Sequence, residues 1–219
     1  MRDKGMTMKK LQHIIMVALI LLGLVTPALA QEQTDDFNVA AKHAIAIEST
    51  TGKVLYEKDA TTPDGVASMT KILTTYMVYK AVDQGKITWD TEVDISDYPF
   101  NLTVDSEVSN VPLDSRKYTV KQLLDATLIT SANSAAIALA EKISGTESAF
   151  VDNMTAQLKD WGITDAKLFN ASGLNNKYLG DNRYPGSNPE DENTMSALDI
   201  AIIADHLIKD YPQVLDITK

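Results

Sequence analysis

The chain contains no cysteine, which excludes disulfides, a thiol nucleophile and a thiolate metal site. Histidine is nearly as scarce. The three present, His13, His43 and His206, are far apart in the sequence and read as ordinary structural residues rather than metal ligands or the base of a Ser-His-Asp triad. Positive charge is also in deficit: 20 Lys and Arg face 30 Asp and Glu, a formal net charge of −10. Nucleic acid, whose phosphates need a basic face, is thereby excluded as a partner. No metal or cofactor is expected, and no internal repeat is visible.

Long apolar runs are missing too, with one short exception near the start. Arg2, Lys4, Lys9 and Lys10 precede the apolar stretch from Ile14 to Val25, followed by Thr26-Pro27-Ala28-Leu29-Ala30. A membrane-spanning helix needs ~20 apolar residues, and this run is shorter. A basic start, a short apolar segment and an Ala-x-Ala end describe a secretory signal cleaved after Ala30. The expected organisation is therefore a signal at 1–30, a polar linker at 31–38 and a catalytic domain at 39–219. An exported protein acting at the outer face of the cytoplasmic membrane or in the cell wall follows from this reading.

The remaining pattern mixes strands and helices. Residues 41–49 and 53–58 read as a hairpin around Thr51-Gly52. Met69, Ile72, Leu73 and Tyr76 recur at i, i+3, i+4 and i+7 and predict a helix with Ser68 at its N-terminal end. Residues 88–118, with Pro99 and Pro112, read as an irregular excursion with short strands. Thr119-Val120-Lys121-Gln122 forms a capping-box pattern ahead of an apolar helix through Leu123, Leu124, Leu128 and Ile129. A second helix starts at Asn133, which leaves Ser131-Ala132-Asn133 in a tight helix–helix junction. Phe150, Met154, Leu158 and Trp161 mark another helix as core, not as a cofactor box. Residues 170–193 are a polar loop, and a last helix spans about 194–209 until Tyr211-Pro212 stops it.

Within this frame Ser68-Met69-Thr70-Lys71 carries the chemistry. Three residues make one helical turn, so Ser68 and Lys71 project from the same side. The spacing alone is weak evidence, since 13 serines and 17 lysines in 219 residues give about one such match by chance. A serine hydroxyl needs a base to become a nucleophile, and Lys71 serves only when neutral. Burial, a nearby cation or the helix N-terminus lowers a lysine from its usual ~10.4. Ser131 is a candidate second hydroxyl that passes a proton to the leaving group. Asn133 is a candidate to hold Lys71 and a substrate amide. Simple capping of the next helix is the competing reading for both residues.

Taken in order, Ala67-Ser68-Met69-Thr70-Lys71, Thr130-Ser131-Ala132-Asn133-Ser134, Asn170-Ala171-Ser172-Gly173-Leu174 and Ser196-Ala197-Leu198-Asp199 resemble the low-molecular-mass penicillin-binding proteins that are serine D-alanyl-D-alanine carboxypeptidases. The resemblance implies an α+β fold of the β-lactamase type, with a helical subdomain against an antiparallel sheet. It implies catalytic roles for Ser68, Lys71 and Ser131 and a substrate contact for Asn133. Peptidoglycan stem peptides ending in D-Ala-D-Ala are the implied substrate and β-lactams the implied covalent ligands, in cell wall biogenesis and cell shape. Members often attach to the membrane surface through a C-terminal region, which is not present in these residues.

One departure stands out. The family's third motif, Lys-Thr-Gly or a close variant on a later strand, does not occur in this sequence. That strand supplies an oxyanion-hole donor, and losing such a donor costs roughly 10² to 10³ in rate. The expectation is a chain that holds the N-terminal part of a catalytic domain, lacks the C-terminal sheet strands and is catalytically incomplete as it stands. The alternatives are an exported non-catalytic binding or scaffold relative, a serine β-lactamase or a D,D-endopeptidase. Against a β-lactamase, no convincing Glu-x-x-Leu-Asn deacylation motif follows Ser131, and Glu190-Asp191-Glu192-Asn193 reads as solvated loop.

Overall fold

The computed structural model describes residues 37–104 and 107–218. Contacts divide the chain into residues 1–40 and residues 41–219. Of the first part, residues 37–40 carry no helix or strand; the expected signal and most of the expected linker lie outside the described residues.

In the second part β1 (Ala44–Ile47) and β2 (Val54–Lys58) form the expected antiparallel hairpin, with Ala44 opposite Lys58. Gly52 makes the turn at φ +71°, a left-handed conformation that glycine adopts without a Cβ clash. A two-residue β3 (Asp64–Gly65) leads into a 3₁₀ turn at Ala67–Met69 and then α1 (Thr70–Asp83). After β4 (Glu92–Asp94) comes α2 (Asp97–Leu102), a short helix not foreseen in the sequence because Pro99 argued for an irregular run. Pro99 is the third residue of α2, where its missing N–H has no intrahelical partner to lose.

The chain continues through β5 (Lys117–Thr119), α3 (Val120–Ile129), α4 (Asn133–Ser144) and α5 (Glu147–Asp160). A loop with two 3₁₀ turns then leads to β6 (Thr194–Met195) and α6 (Ala197–Asp210). The strands pair as three separate antiparallel ribbons, β1–β2, β3–β6 and β4–β5, rather than as one sheet.

Helix α1 is the central element. Ten of its fourteen residues are buried, so it is enclosed on nearly all sides instead of presenting the single stripe its spacing predicts. Met69 belongs to that predicted stripe but is 48% exposed. It sits in the tighter 3₁₀ turn, where three residues complete a turn, and so falls out of phase with the α-helical face. Ile129, part of the apolar run that marks α3 in the sequence, ends that helix and is exposed. Phe150, Met154 and Leu158 are buried in the core as their spacing requires, with Trp161 partly buried against it.

Two capping boxes fix the starts of α3 and α6. Thr119 accepts from the Gln122 N–H while Gln122 accepts from the Thr119 N–H, and Ser196 and Asp199 do the same at α6. Thr119→Ala removes one bond of the first box. It is expected to lower stability by about 1 kcal/mol, as read from a denaturant midpoint, without a change in the denaturant slope.

Candidate active site

The site is built where three backbone segments meet: the turn into α1, the junction between α3 and α4, and residues 170–174. β3 pairs with β6, and the Val66 N–H donates to the Asn193 carbonyl, so the approach to Ser68 is tied to residues 127 or more positions later. Ala67 has φ +43°. Gly173, at φ +77°, lies so close to Ala67 that a Cβ on it would stand 1.8 Å from the Ala67 carbonyl oxygen. Only glycine fits that approach.

Ser68 is exposed, in the 3₁₀ turn, while Lys71 in the first turn of α1 is 3% exposed. Lys71 Nζ lies 3.1 Å from Ser68 Oγ, 2.8 Å from Asn133 Oδ1 and 2.7 Å from the Ser172 carbonyl oxygen. Burial lowers its pKa to about 8.

The three neighbours differ in what they can do. Asn133 Oδ1 and the Ser172 carbonyl only accept, whereas the Ser68 hydroxyl can also donate. A neutral amine has two N–H donors and one lone pair. Placed here it gives both donors to the two carbonyl oxygens and turns its lone pair to Ser68, the arrangement that proton removal from Oγ requires.

Ser131 and Asn133 were open to a capping interpretation, and the geometry rejects it. Ala132 occupies the N-cap of α4 and makes no side-chain cap bond, and the Ser134 N–H in the first turn donates to Asn110 Oδ1 at 2.8 Å, not to Ser131 or Asn133. Asn133 turns its side chain away from the helix, with Oδ1 on Lys71 and Nδ2 donating to the Ser109 carbonyl at 3.0 Å. Among the described residues Nδ2 makes this one bond, which leaves its second hydrogen without a partner there. Ser131 has φ +58°, a conformation costing about 1–3 kcal/mol in a non-glycine residue. Among the described residues, no hydrogen bond joins its hydroxyl to Ser68 or Lys71.

Several supporting residues had no role assigned from the sequence, Asn170 among them although it stands in one of the motifs. Asn170 accepts from the Ser172 N–H, the Ser172 hydroxyl and the Gly173 N–H, at 3.2, 3.1 and 2.7 Å. It thereby holds the peptide whose carbonyl meets Lys71. Asn193 is also buried, contrary to the solvated loop expected for its run. It donates to Thr70 Oγ1 and the Asn170 carbonyl and accepts from the Phe169 N–H. Its acidic neighbours concealed it, because composition cannot distinguish the one inward residue of a polar run.

His43 bonds the Asp59 carbonyl, and His206 stacks on Trp161 at 4.3 Å. Both are engaged structurally, away from the Lys71 bonds.

Residues 29–219 match the family described as D-alanyl-D-alanine carboxypeptidase. The chain belongs to that family. It is 33% identical to the D-alanyl-D-alanine carboxypeptidase DacF of Bacillus subtilis over 205 residues, covering 92% of this chain and 48% of that protein. Among solved structures it resembles a peptidoglycan synthesis regulatory factor (PBP3) from Streptococcus pneumoniae, with 62% identity and a TM-score of 0.82, over 83% of this chain and 51% of the other. Penicillin-binding protein 5 of Haemophilus influenzae is similar at 27% identity and a TM-score of 0.71, over 83% of this chain and 48% of the other. The chain thus spans about half the length of the relatives it matches. The fold is the α+β fold of the penicillin-binding carboxypeptidases, as the sequence motifs imply.

Proposed function

We propose that the full-length protein is an exported serine-type D-Ala-D-Ala carboxypeptidase that trims peptidoglycan stem peptides in cell wall biogenesis and cell shape. The observation that carries this reading is the Lys71 amine, buried and set between the Ser68 hydroxyl and two oxygens that can only accept.

Lys71 takes the Ser68 proton as Oγ bonds to the carbonyl carbon of the penultimate D-Ala. The peptide C–N bond then breaks, and the departing D-Ala nitrogen receives a proton relayed through Ser131. Water next attacks the Ser68 ester, releasing the shortened peptide and restoring the hydroxyl. The spare Asn133 amide hydrogen binds a carbonyl of the stem peptide. A β-lactam opened by Ser68 leaves an ester in the same place.

The test is incubation of the full-length protein and its Ser68→Ala variant with fluorescent penicillin and with a D-Ala-D-Ala-ended peptide. Covalent label and free D-Ala are both expected, and both vanish in the variant. Label that persists in Ser68→Ala overturns the assignment of the nucleophile. Label without D-Ala release favours a non-catalytic penicillin-binding relative, and cleavage confined to cross-linked peptides favours an endopeptidase.

A further inference from the structure

Glu147 is a buried carboxyl group that the chemistry above does not use. It is the first residue of α5, where the helix N-terminus favours an anion. Its Oε1 accepts from the Ala171 N–H at 2.8 Å, and its Oε2 accepts from the Tyr98 hydroxyl of α2 at 2.8 Å. The Ala171 N–H donates to one oxygen and the Tyr98 hydroxyl to the other, so both oxygens of a carboxylate are satisfied. Burial nonetheless raises its pKa to about 7, and Glu141 of α4 adds to the rise. A buried carboxyl group retained against that cost is held by what it binds.

What it binds is one residue away from the base. Ala171 is gripped on both edges: its N–H by Glu147 and its carbonyl by the Thr74 hydroxyl of α1 at 2.6 Å. The following residue, Ser172, presents its carbonyl to Lys71 Nζ and is fully buried. Glu147 therefore links α2 and α5 to the stretch of backbone that covers and orients Lys71.

We propose that Glu147 is a positioning residue for Lys71, acting through the Ala171–Ser172 backbone to aim the Ser172 carbonyl at the amine and keep water off it. The proposal rests on Lys71 being the base of the Ser68 reaction, but its first readout does not.

In the full-length protein the titration of Lys71 is followed by the NMR shift of its ¹³Cε, alongside the pH profile of penicillin acylation and the thermal midpoint. Burial is what lowers the Lys71 pKa, so loosening its cover returns it toward the ordinary ~10.4. In Glu147→Ala the Lys71 midpoint is expected to rise from about 8 by about one pH unit, and acylation at pH 7 to fall about tenfold with the neutral amine. Glu147→Gln is expected to keep the wild-type midpoint and rate: its amide oxygen accepts from Ala171 and its NH2 donates to the Tyr98 oxygen. Glu147→Asp, which retains charge but loses reach, shows the alanine pattern and serves if the alanine variant does not fold.

A wild-type Lys71 midpoint in Glu147→Ala or Glu147→Asp, with only the thermal midpoint lowered, overturns the proposal and leaves Glu147 a purely structural group. Should Ser68→Ala still take label, the nucleophile assignment fails, yet the ¹³Cε titration still decides the role of Glu147.

Discussion

Gly173→Ala in the full-length protein is expected to abolish penicillin labelling and to lower the thermal midpoint on the order of 10 °C. The added Cβ would lie 1.8 Å from the Ala67 carbonyl oxygen, 2.4 Å from the Ala67 carbonyl carbon and 2.7 Å from Thr70 Oγ1. Two of these atoms are backbone, so no side chain can swing aside to make room. The φ of +77° adds strain of its own for any residue with a Cβ. Overpacking and the disfavoured φ together cost roughly 3 kcal/mol or more. Relief requires Ala67 to move, and Ala67 directly precedes Ser68, so the nucleophile moves with it. Calorimetry and gel fluorescence check both effects. An alanine variant with an unchanged midpoint and full labelling would show that these two segments are less tightly engaged than the 1.8 Å approach indicates.

The second large effect concerns the base. Lys71→Met preserves most of the side-chain volume and removes the amine. Loss of a positioned base costs about 10² to 10⁴ in rate, so acylation should fall by that range. In the unmodified protein acylation should rise with pH through about 8 as Lys71 loses its proton.

Stability carries a matching signature. The folded-state pKa of Lys71 lies below the unfolded value, so between about 8 and ~10.4 the unfolded chain binds more protons. Folding stability from this group therefore increases as pH rises across that window, by about 3 kcal/mol in all. The methionine variant should lose this slope. Relief from burying a charge stabilises it, while Asn133 Oδ1 and the Ser172 carbonyl lose a donor at about 1–3 kcal/mol each. These terms oppose one another, so the midpoint at neutral pH is expected to change little while acylation collapses. Urea titrations at pH 7 and pH 10 test the slope. Equal pH dependence in both proteins would mean that Lys71 titrates normally.

Much of this site is local and was therefore legible. The i, i+3 relation of Ser68 and Lys71 follows from helical geometry, and the Thr119–Gln122 box announces α3 from four residues alone. Asn133 falls at the start of α4, as its place after a short junction requires. The errors came where a residue's environment depends on remote chain. Met69 and Ile129 are apolar yet exposed, because apolar spacing reports a face without saying whether another element covers it. Glu147 and Asn193 look like surface residues by type and neighbours, and both are buried in the support of the site.

By itself the sequence determined the longer helices, the hairpin, the placement of Ser68 one turn from Lys71 and the family motifs, since each depends on contacts within a few residues. Tertiary structure alone decided that Lys71 meets Asn133 and the Ser172 carbonyl, 62 and 101 residues away, and that all three are buried together. The lysine's lowered pKa belongs to this second class, because desolvation is a property of the packed interior and no local pattern encodes it.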